Sequence, residues 1–432
     1  MKKIASYALG CKVNQYESEA IAELFAQRGY EVVPIEDTAD IYIINTCTVT
    51  NFGDKKSRQL IRKVKRQNAD AIVAVVGCYA QTAPAELEAV EGVNLVIGTK
   101  DKSRIVELVE AYRKEQGVCN YVTDIMHERI FEPLEIKKLS NRTRAYLKIQ
   151  DGCSQFCSYC IIPYARGPIR SREPQDVIAE VRRLAENGFQ EVVLTGIHVA
   201  SYGKDLKQTS LLEIIQQVHA VDGIERIRFS SIEPNVVTEA FAAEVAKLPK
   251  VCDHFHLSLQ SGCDKTLREM NRRYDTEKYR QAAARLRRYL PDVALTTDMI
   301  VGFPGETEED YQQSKVFAKE MAFSKIHVFP YSPKKGTPAA ERKDQLQNAV
   351  KQARSHDLIA LSDAMTEVFL TAHLGRKMSV LFEREVAPNW YEGHTTNYIK
   401  VHVFSRQALT NVILPVRLTE VQGETAIGEI TE

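Results

Sequence analysis

The sequence predicts an α/β protein with three parts: an open parallel sheet with crossover helices, an incomplete TIM-type barrel of six β/α units, and a small antiparallel β-barrel. Two alternations of strand-like and helix-like segments predict the first two parts, and short alternating strands without helices predict the third. The predicted domains are residues 1–115, 142–370 and 371–432, with a linker over 116–141. At 432 residues, the chain is long enough for each domain to have a core of its own.

The first part contains three short runs rich in β-branched residues, which predict buried strands: KIASYALGC, DIYIINTC and AIVAVVGC. Between the first two, ESEAIAELFAQRGY has helical periodicity that stops at Gly29. Each run ends in a cysteine, namely Cys11, Cys47 and Cys78. Because the carboxyl ends of parallel strands share one edge, where ligands bind, we expect the three thiols to meet there. Three unrelated buried cysteines are the alternative, and they explain the repeated placement poorly.

The second part begins at Arg144, after a linker of mixed charge without periodicity. Six strand-like runs follow: RAYLKIQ, EVVLTG, RIRFSSI, HFHLSLQ, ALTTDMIVG and SKIHVFPY. Helical stretches separate them, such as 174–187, whose apolar stripe ends before Gly188. Since eight strands close a TIM barrel, six predict an incomplete one with its chemistry at the strand carboxyl ends.

The third part follows a long helix predicted over 341–371. From Arg376 onward, short alternating runs between turn residues predict a small antiparallel barrel. Such a barrel is typical of a nucleic-acid-binding appendage, and equally of a packing or dimerisation module.

Composition limits the possible functions. Lys+Arg and Asp+Glu are both 57, so any nucleic-acid-binding surface must be local. The longest apolar runs are far shorter than the ~20 residues of a membrane span. The apolar stretch 4–9 is also shorter than the roughly 7–15 residues of a signal-peptide core. We therefore expect a cytoplasmic protein without membrane association.

The nine cysteines are too sparse for a disulfide scaffold, so metal ligation, catalysis or a place in the core remain. The stretch DGCSQFCSYC contains Cys153, Cys157 and Cys160. A structural zinc site needs four ligands, but no second CxxC follows this stretch, and the next cysteine is Cys252. In a cubane iron–sulfur cluster, three thiolates leave one iron open. The amino and carboxylate groups of S-adenosylmethionine suit an open iron, and Tyr159 is placed to pack against the adenine.

This cysteine motif, CxxxCxxC with an aromatic residue before the last cysteine, resembles the radical S-adenosylmethionine superfamily. Further motifs resemble its methylthiotransferase family over nearly the whole chain: GCKVNQYESE, INTCTVTNFGDKKSR, VVGCYAQ, GCSQFCSYCIIPYARGPIRSR, HLSLQSGCDKTLREMNRRY, TDMIVGFPGETEED and FPYSPKKGTPAA. The last part resembles a TRAM domain. The family attaches a methylthio group to an unactivated carbon.

The resemblance implies two [4Fe–4S] clusters, with S-adenosylmethionine as both radical source and methyl donor. Cys153, Cys157 and Cys160 would hold the cluster that cleaves S-adenosylmethionine. Cys11, Cys47 and Cys78 would hold an auxiliary cluster that carries the added sulfur. We also expect the reaction to use an external electron donor and the protein to be a monomer.

The remaining strand-end residues are weaker candidates for contacts with S-adenosylmethionine. Thr195 and Gly196 fall where the superfamily contacts the methionine amino group, although the acidic residue usual there is absent. Glu233, Gln260 and Asp298 are expected to bind ribose or methionine, and the Gly302 backbone to approach the adenine. Turn chemistry and helix capping are the alternative for all of them. Residues expected to be structural are His198, His254, His256, Cys119, Cys252 and Cys263.

The family's substrates are adenosines next to the anticodon of transfer RNA and a ribosomal-protein aspartate. Local basic stretches favour RNA: 55–66 with seven positive charges in twelve residues, 137–148, and Arg268, Arg272 and Arg273. The motifs are most similar to the branch that methylthiolates C2 of N6-threonylcarbamoyladenosine at position 37. The alternatives are N6-isopentenyladenosine, the ribosomal-protein aspartate, and a non-catalytic iron–sulfur protein that binds RNA.

Overall fold

The computed structural model describes residues 1–134, 136 and 143–431. The basic stretch predicted at 137–148 therefore lies outside the described residues over 137–142, as does the predicted start of the second domain. None of the described helices combines the length and apolarity that crossing a bilayer requires.

The N-terminal domain is an open sheet of six parallel strands in the order β2-β1-β3-β4-β5-β6, which confirms the predicted parallel sheet. The strands are β1 (Lys3–Ala8), β2 (Glu31–Val32), β3 (Ile41–Thr46), β4 (Ile72–Gly77), β5 (Leu95–Ile97) and β6 (Cys119–Asn120). Strand β3 is buried along its whole length, as expected for a central strand with helices on both faces. Strand β6 lies beyond residue 115, inside the segment predicted as a linker.

Helices cover both faces of this sheet. They are α1 (Lys12–Gln27), α2 (Asn51–Gln67), α3 (Cys78–Thr82), α4 (Pro84–Glu88) and α5 (Ile105–Ala111), with 3₁₀ turns at Lys102–Arg104 and Lys114–Gln116. The Thr50 side chain accepts a hydrogen bond from the Gly53 N–H and so caps α2. Lys65 and Arg66 occupy the last turn of α2, where positive charge is favourable.

The central domain has six parallel strands in two sheets, β10-β9-β7 and β11-β12-β13, joined by isolated bridges such as Ile232 to Leu257. Its strands are β7 (Arg144–Asp151), β8 (Arg170–Ser171), β9 (Glu191–Gly196), β10 (Arg226–Phe229), β11 (His254–His256), β12 (Ala294–Val301) and β13 (Lys325–Pro330). The extra strand β8 runs antiparallel to β7. In the described part of the chain β7 and β13 do not pair, so the incomplete barrel is confirmed.

Helices surround this barrel on the outside. They are α6 (Ile162–Arg166), α7 (Pro174–Glu186), α8 (Leu211–His219), α9 (Glu239–Val245), α10 (Asp264–Glu269), α11 (Thr276–Tyr289), α12 (Glu308–Met321), α13 (Pro338–Glu341) and α14 (Asn348–Thr371), with 3₁₀ turns at Val199–Ser201 and Pro234–Val236. The apolar faces of α7 to α12 and of α14 share one large core with the strands. The apolar stripe predicted for 174–187 is the buried face of α7.

The C-terminal domain is a closed barrel in the order β14-β15-β16-β18-β17. Its strands are β14 (Lys377–Ala387), β15 (Trp390–Thr395), β16 (Lys400–Phe404), β17 (Ile413–Gln422) and β18 (Thr425–Ile430). Four neighbouring pairs are antiparallel, as predicted, but β16 and β18 run parallel. A closed ring with an odd number of strands cannot alternate direction throughout, so one parallel pair is unavoidable.

Arginines of the central barrel bind the C-terminal barrel. Arg226 donates to the carbonyl of Ser379 at 2.8 Å, and Arg228 donates to the carbonyl of Thr395 at 2.7 Å. The buried carboxylate of Glu191 pairs with Arg228 at 2.8 Å. The C-terminal barrel therefore serves as a module that packs against the central barrel.

Candidate active site

The three N-terminal cysteines lie together at the carboxyl edge of the sheet. Cys11 caps α1 after β1, Cys47 follows β3, and Cys78 opens α3 after β4. Burial and the nearby thiol of Cys78 raise the pKa of Cys47 to about 12, and Cys11 adds to this effect. Buried thiols this close to one another resist ionisation unless a cation such as a metal is bound.

Two glycines allow this close approach. Gly10 has φ +101°, and a Cβ there would lie 2.7 Å from the Cys47 sulfur. Gly77 has φ +96°, and a Cβ there would lie 2.3 Å from the Asn45 side-chain oxygen. A side chain at either position would clash and strain the backbone, so the thiols can converge only with glycine beside them.

The central cysteines occupy one loop between β7 and α6. The Cys160 N–H donates to the Cys157 carbonyl at 3.0 Å, and the Cys153 N–H donates to the Gly167 carbonyl at 2.9 Å. Burial raises the pKa of Cys153 to about 11 and that of Cys160 to about 12, and repulsion from Cys157 adds to both effects. This set thus has the same electrostatic character as the N-terminal one.

The donor sets have the composition that iron–sulfur clusters use. Within the described residues, no three His, Cys, Asp or Glu side chains are close enough to hold one metal ion. In a cubane each thiolate binds a different iron, so its ligands are spread more widely than those of a zinc ion. Two sets of three protein thiols are the donors that two such clusters need.

Arg272 connects the central cysteines to Glu233. Its guanidinium donates to the Cys157 sulfur at 3.2 Å and to a Glu233 oxygen at 2.8 Å. The other Glu233 oxygen lies 3.3 Å from His198 Nε2. Glu233 therefore holds the arginine that contacts a thiol. Arg272 is also unavailable for the phosphate contact predicted from the sequence, because its side chain is only 7% exposed.

We expect the Arg272→Met substitution to lower the free energy of unfolding by about 1–3 kcal/mol, because it leaves the buried Glu233 carboxylate without its guanidinium partner. Urea unfolding measures this change. The matched control is Arg273→Met at the exposed neighbouring guanidinium, which should change stability by less than about 0.5 kcal/mol. Equal effects of the two substitutions would contradict the assigned role of Arg272.

Arg166 contacts the N-terminal set in a similar way. Its Nε donates to the Cys78 sulfur at 3.1 Å, and its Nη2 donates to the Asn14 side-chain oxygen at 2.6 Å. It also binds Glu17, a fully buried carboxylate that Lys148 contacts at 2.9 Å and Lys102 at 3.4 Å. Burial alone would raise the pKa of Glu17, but these three cations hold it well below its usual range.

The sequence reasoning missed this charge network. Lys148 gave the only local signal, since it interrupts the apolar run RAYLKIQ of a strand that is buried along most of its length. Arg166 and Glu17 are 149 positions apart, and no periodicity connects them.

A cavity of about 760 Å³ lies where the three domains meet. Of the predicted site residues it is lined by Cys11, Thr195, Gly196 and Asp298. His254 and His256, expected to be structural, line it as well. Asp298 lies 3.3 Å from His256 Nε2. The cavity therefore joins Cys11 of the N-terminal set to the interior of the barrel, where residues from both ends of the strands line it.

The other predicted cofactor contacts lie outside the lining of this cavity. Tyr159 packs on an apolar cluster that includes Phe303. Gly302 packs against Lys351, and its N–H donates to Glu306 at 2.6 Å. Gln260 has φ +71° and uses its backbone to bridge β12. For Gly302 and Gln260 the structure gives backbone roles.

Comparison with known proteins agrees with the fold. Residues 147–318 match the radical SAM superfamily, and residues 3–98 match the uncharacterized protein family UPF0004. Among solved structures, the radical S-adenosylmethionine methyltransferase TsrM of Kitasatospora setae has a TM-score of 0.57 at 18% identity, covering 79% of this chain and 75% of that one. At this identity the likeness concerns the fold alone.

Relatives extend over nearly the whole chain. Threonylcarbamoyladenosine tRNA methylthiotransferase MtaB of Bacillus subtilis (strain 168) is 44% identical over 97% of this chain and 94% of its own length. The MtaB protein of Aquifex aeolicus (strain VF5) is 38% identical over 89% and 93%. The tRNA-2-methylthio-N(6)-dimethylallyladenosine synthase of Moorella thermoacetica is 35% identical over 100% and 98%. The chain therefore belongs to the methylthiotransferase family of the radical S-adenosylmethionine superfamily.

Proposed function

We propose that this protein methylthiolates C2 of N6-threonylcarbamoyladenosine next to the anticodon of transfer RNA. The observation that carries the proposal is the pair of three-thiol sets in adjoining domains, one of which opens onto a cavity of about 760 Å³. A cavity of this size suits a nucleoside. Two relatives at 44% and 38% identity bear the name of this activity, which supports the choice of substrate.

The two sets would each hold one [4Fe–4S] cluster. Cys153, Cys157 and Cys160 would hold the radical-forming cluster, and Cys11, Cys47 and Cys78 the auxiliary one. When bound, the clusters and S-adenosylmethionine supply an electron for reductive cleavage, a deoxyadenosyl radical that takes the C2 hydrogen, and the sulfur and methyl group that replace it.

The chain's own residues stabilise anionic sulfur and exclude water. Arg166 and Arg272 each donate a hydrogen bond to one thiol sulfur, Cys78 and Cys157 respectively, and at Cys78 the guanidinium charge opposes the rise in pKa that burial causes. Most residues that line the cavity are polar, but the apolar core between the barrel strands and the outer helices keeps solvent from crossing the barrel wall and so shields a reactive intermediate.

The outer face of α2 supplies a surface for RNA. Ile61 and Val64 are buried on the inner face, while the basic residues exposed on the outer face are Lys55, Lys56, Arg62, Lys63 and Arg66. Phe52 is 62% exposed, with the Lys56 ammonium 4.6 Å from its ring centre. Cations that neutralise phosphates, next to an exposed aromatic ring, are typical of single-stranded RNA binding. Helix α2 begins four residues after Cys47.

The test is nucleoside mass analysis after anaerobic reconstitution with iron and sulfide. With reductant, S-adenosylmethionine and transfer RNA that lacks the methylthio group, we expect the 2-methylthio derivative of threonylcarbamoyladenosine and release of deoxyadenosine. Transfer RNA without the threonylcarbamoyl group is the control and should give no product. A product on dimethylallyladenosine alone would overturn the substrate assignment. The absence of deoxyadenosine would favour a non-catalytic RNA-binding protein.

The remaining parts of the proposal follow from this reaction. Reductive cleavage consumes an electron, so we propose an external electron donor. A monomeric chain in the cytoplasm, where transfer RNA is processed, completes the proposal.

A further inference from the structure

The cavity between the three domains has an excess of positive charge. Its cationic lining residues are Lys12, Arg144, Arg228, Lys325 and Lys400, and its carboxylates are Asp298 and Glu424. A partly enclosed cavity with this balance attracts an anionic group, because field lines concentrate between low-dielectric walls.

Three of these cations already have carboxylate partners. Arg144 binds Glu383, and Arg228 pairs with Glu191 at 2.8 Å. Lys325 pairs with Glu424 at 2.6 Å. The charge of each is therefore largely compensated within the protein.

Lys12 is different. Within the part of the chain that the structure describes, no carboxylate lies within 4.0 Å of its ammonium, which faces the Tyr146 ring at 6.0 Å and has Arg144 and Arg228 as charged neighbours. It is the first residue of the 16-residue helix α1, whose first turn contains no acidic residue. Positive charge at a helix N-terminus is unfavourable, so this lysine is placed against the preference of its own helix. An anionic ligand beside Lys12 would make the electrostatic free energy of this position favourable.

A second group in the lining also lacks a partner. The hydroxyl oxygen of Ser230 is buried and has no hydrogen-bond partner among the described residues. A buried hydroxyl without a partner carries a free-energy penalty that a polar ligand would remove. The lining thus combines an unpaired ammonium and an unsatisfied hydroxyl, which suits a polar anion better than an apolar group.

N6-threonylcarbamoyladenosine carries such an anion, since its threonyl part ends in a carboxylate. The dimethylallyl group in the names of several relatives' activities is uncharged and apolar. Building on the proposed function, we propose that Lys12 binds the threonyl carboxylate and so selects this nucleoside over one with an apolar N6 substituent. The ammonium would favour the nucleoside with the carboxylate and also disfavour one with an apolar substituent, because the apolar group would leave the ammonium desolvated and unpaired.

The test compares affinities of the reconstituted full-length protein for three anticodon stem-loop RNAs by fluorescence anisotropy. The RNAs differ only at position 37, with threonylcarbamoyladenosine, unmodified adenosine or dimethylallyladenosine. We expect wild type to bind the threonylcarbamoyladenosine RNA about tenfold more tightly than the dimethylallyladenosine RNA. Lys12→Gln should reduce this ratio to about twofold or less, which is the range for one charge-assisted hydrogen bond. Lys12→Arg should restore most of it, because the charge is kept.

Two further variants make the comparison specific. Lys2→Gln removes the same charge from an exposed position ten residues upstream and should keep the wild-type preference. Lys400→Gln removes the second lining cation without a described carboxylate partner, and it should reduce the preference less than Lys12→Gln does.

Each contrary outcome has a definite meaning. An unchanged preference in Lys12→Gln, or a larger loss in Lys400→Gln, would overturn the assignment. So would a fall in bound iron in Lys12→Gln, because Lys12 would then serve the adjacent thiolates. If wild type forms no methylthio product on the threonylcarbamoyl RNA, the proposed function fails first. If the product forms while Lys12→Gln discriminates normally, only the role of Lys12 is wrong.

Discussion

Substitution of Cys47 by Ala should lower the bound iron from about eight to about four atoms per chain, because it removes one ligand of one four-iron cluster. We expect methylthiolation to be lost while deoxyadenosine release continues, since the central cysteines remain intact. Iron analysis, visible absorbance and product analysis on the reconstituted protein measure the three effects.

The reciprocal variant separates the two sites. Cys153→Ala should also lose about half the iron. Unlike Cys47→Ala, it should lose deoxyadenosine release together with methylthiolation. Cys119→Ala is the matched control, because this half-buried thiol of β6 belongs to neither set and should keep all the iron. Full iron retention in Cys47→Ala, or loss of deoxyadenosine in that variant, would show that the sets are assigned wrongly.

Substitution of Glu17 by Gln should destabilise the protein by about 3–5 kcal/mol, the effect of removing one partner from a buried ion pair. Glu17 is fully buried, and its carboxylate is the common partner of Lys102, Lys148 and Arg166. Without it, Asp151 remains for Lys148 and Arg166, and Glu132, at 4.0 Å, remains for Lys102. Urea unfolding at pH 7 measures the loss.

The matched control uses a surface pair in the same domain. Glu31 lies 4.0 Å from Lys3, and both side chains are more than two-fifths exposed. Glu31→Gln should therefore change the free energy of unfolding by less than about 1 kcal/mol. If Glu17→Gln were as mild as Glu31→Gln, the buried network would not contribute to stability.

The same network predicts how stability depends on pH. The pKa of Glu17 is lower in the folded protein than in the unfolded chain, where a glutamate titrates near about 4.3. Its contribution is thus present above that pH and is lost as the pH falls through the folded-state pKa. Wild type should lose this stability mainly as the pH drops from about 5 to about 3, and Glu17→Gln should lose less over the same interval.

The features that could be predicted from the sequence are those that periodicity and strand ends indicate. The three N-terminal strands, the six barrel strands and the cysteines that follow them were all read from local patterns, and the parallel sheet and the incomplete barrel are confirmed. Strands of two residues, such as β6 and β8, are too short to leave a pattern. The parallel pair of β16 and β18 follows from the number of strands that close the ring, which no local pattern contains.

The site was less predictable than the fold. Strand-end placement predicted the N-terminal cysteine set and spacing predicted the central one, but the residues that contact these thiols come from distant segments. Arg272 contacts a thiol 115 positions away, and Arg166 contacts one 88 positions away. Gly302 and Gln260 were predicted to contact S-adenosylmethionine because they lie in strand-end motifs. At such positions, turns and ligand-binding sites use the same residue types. Contacts of this kind become visible only in the folded chain, because they join segments far apart in the sequence.

The position of Glu17 also has a consequence for how the substrate enters. Glu17 belongs to the N-terminal domain, whereas Lys148 and Arg166 belong to the barrel. Hinge opening between these domains would leave a buried carboxylate and two buried cations apart, at a high electrostatic free energy. We therefore expect the nucleotide to enter and leave while these two domains stay closed, so that the sulfur and radical sites keep a constant separation through every catalytic cycle.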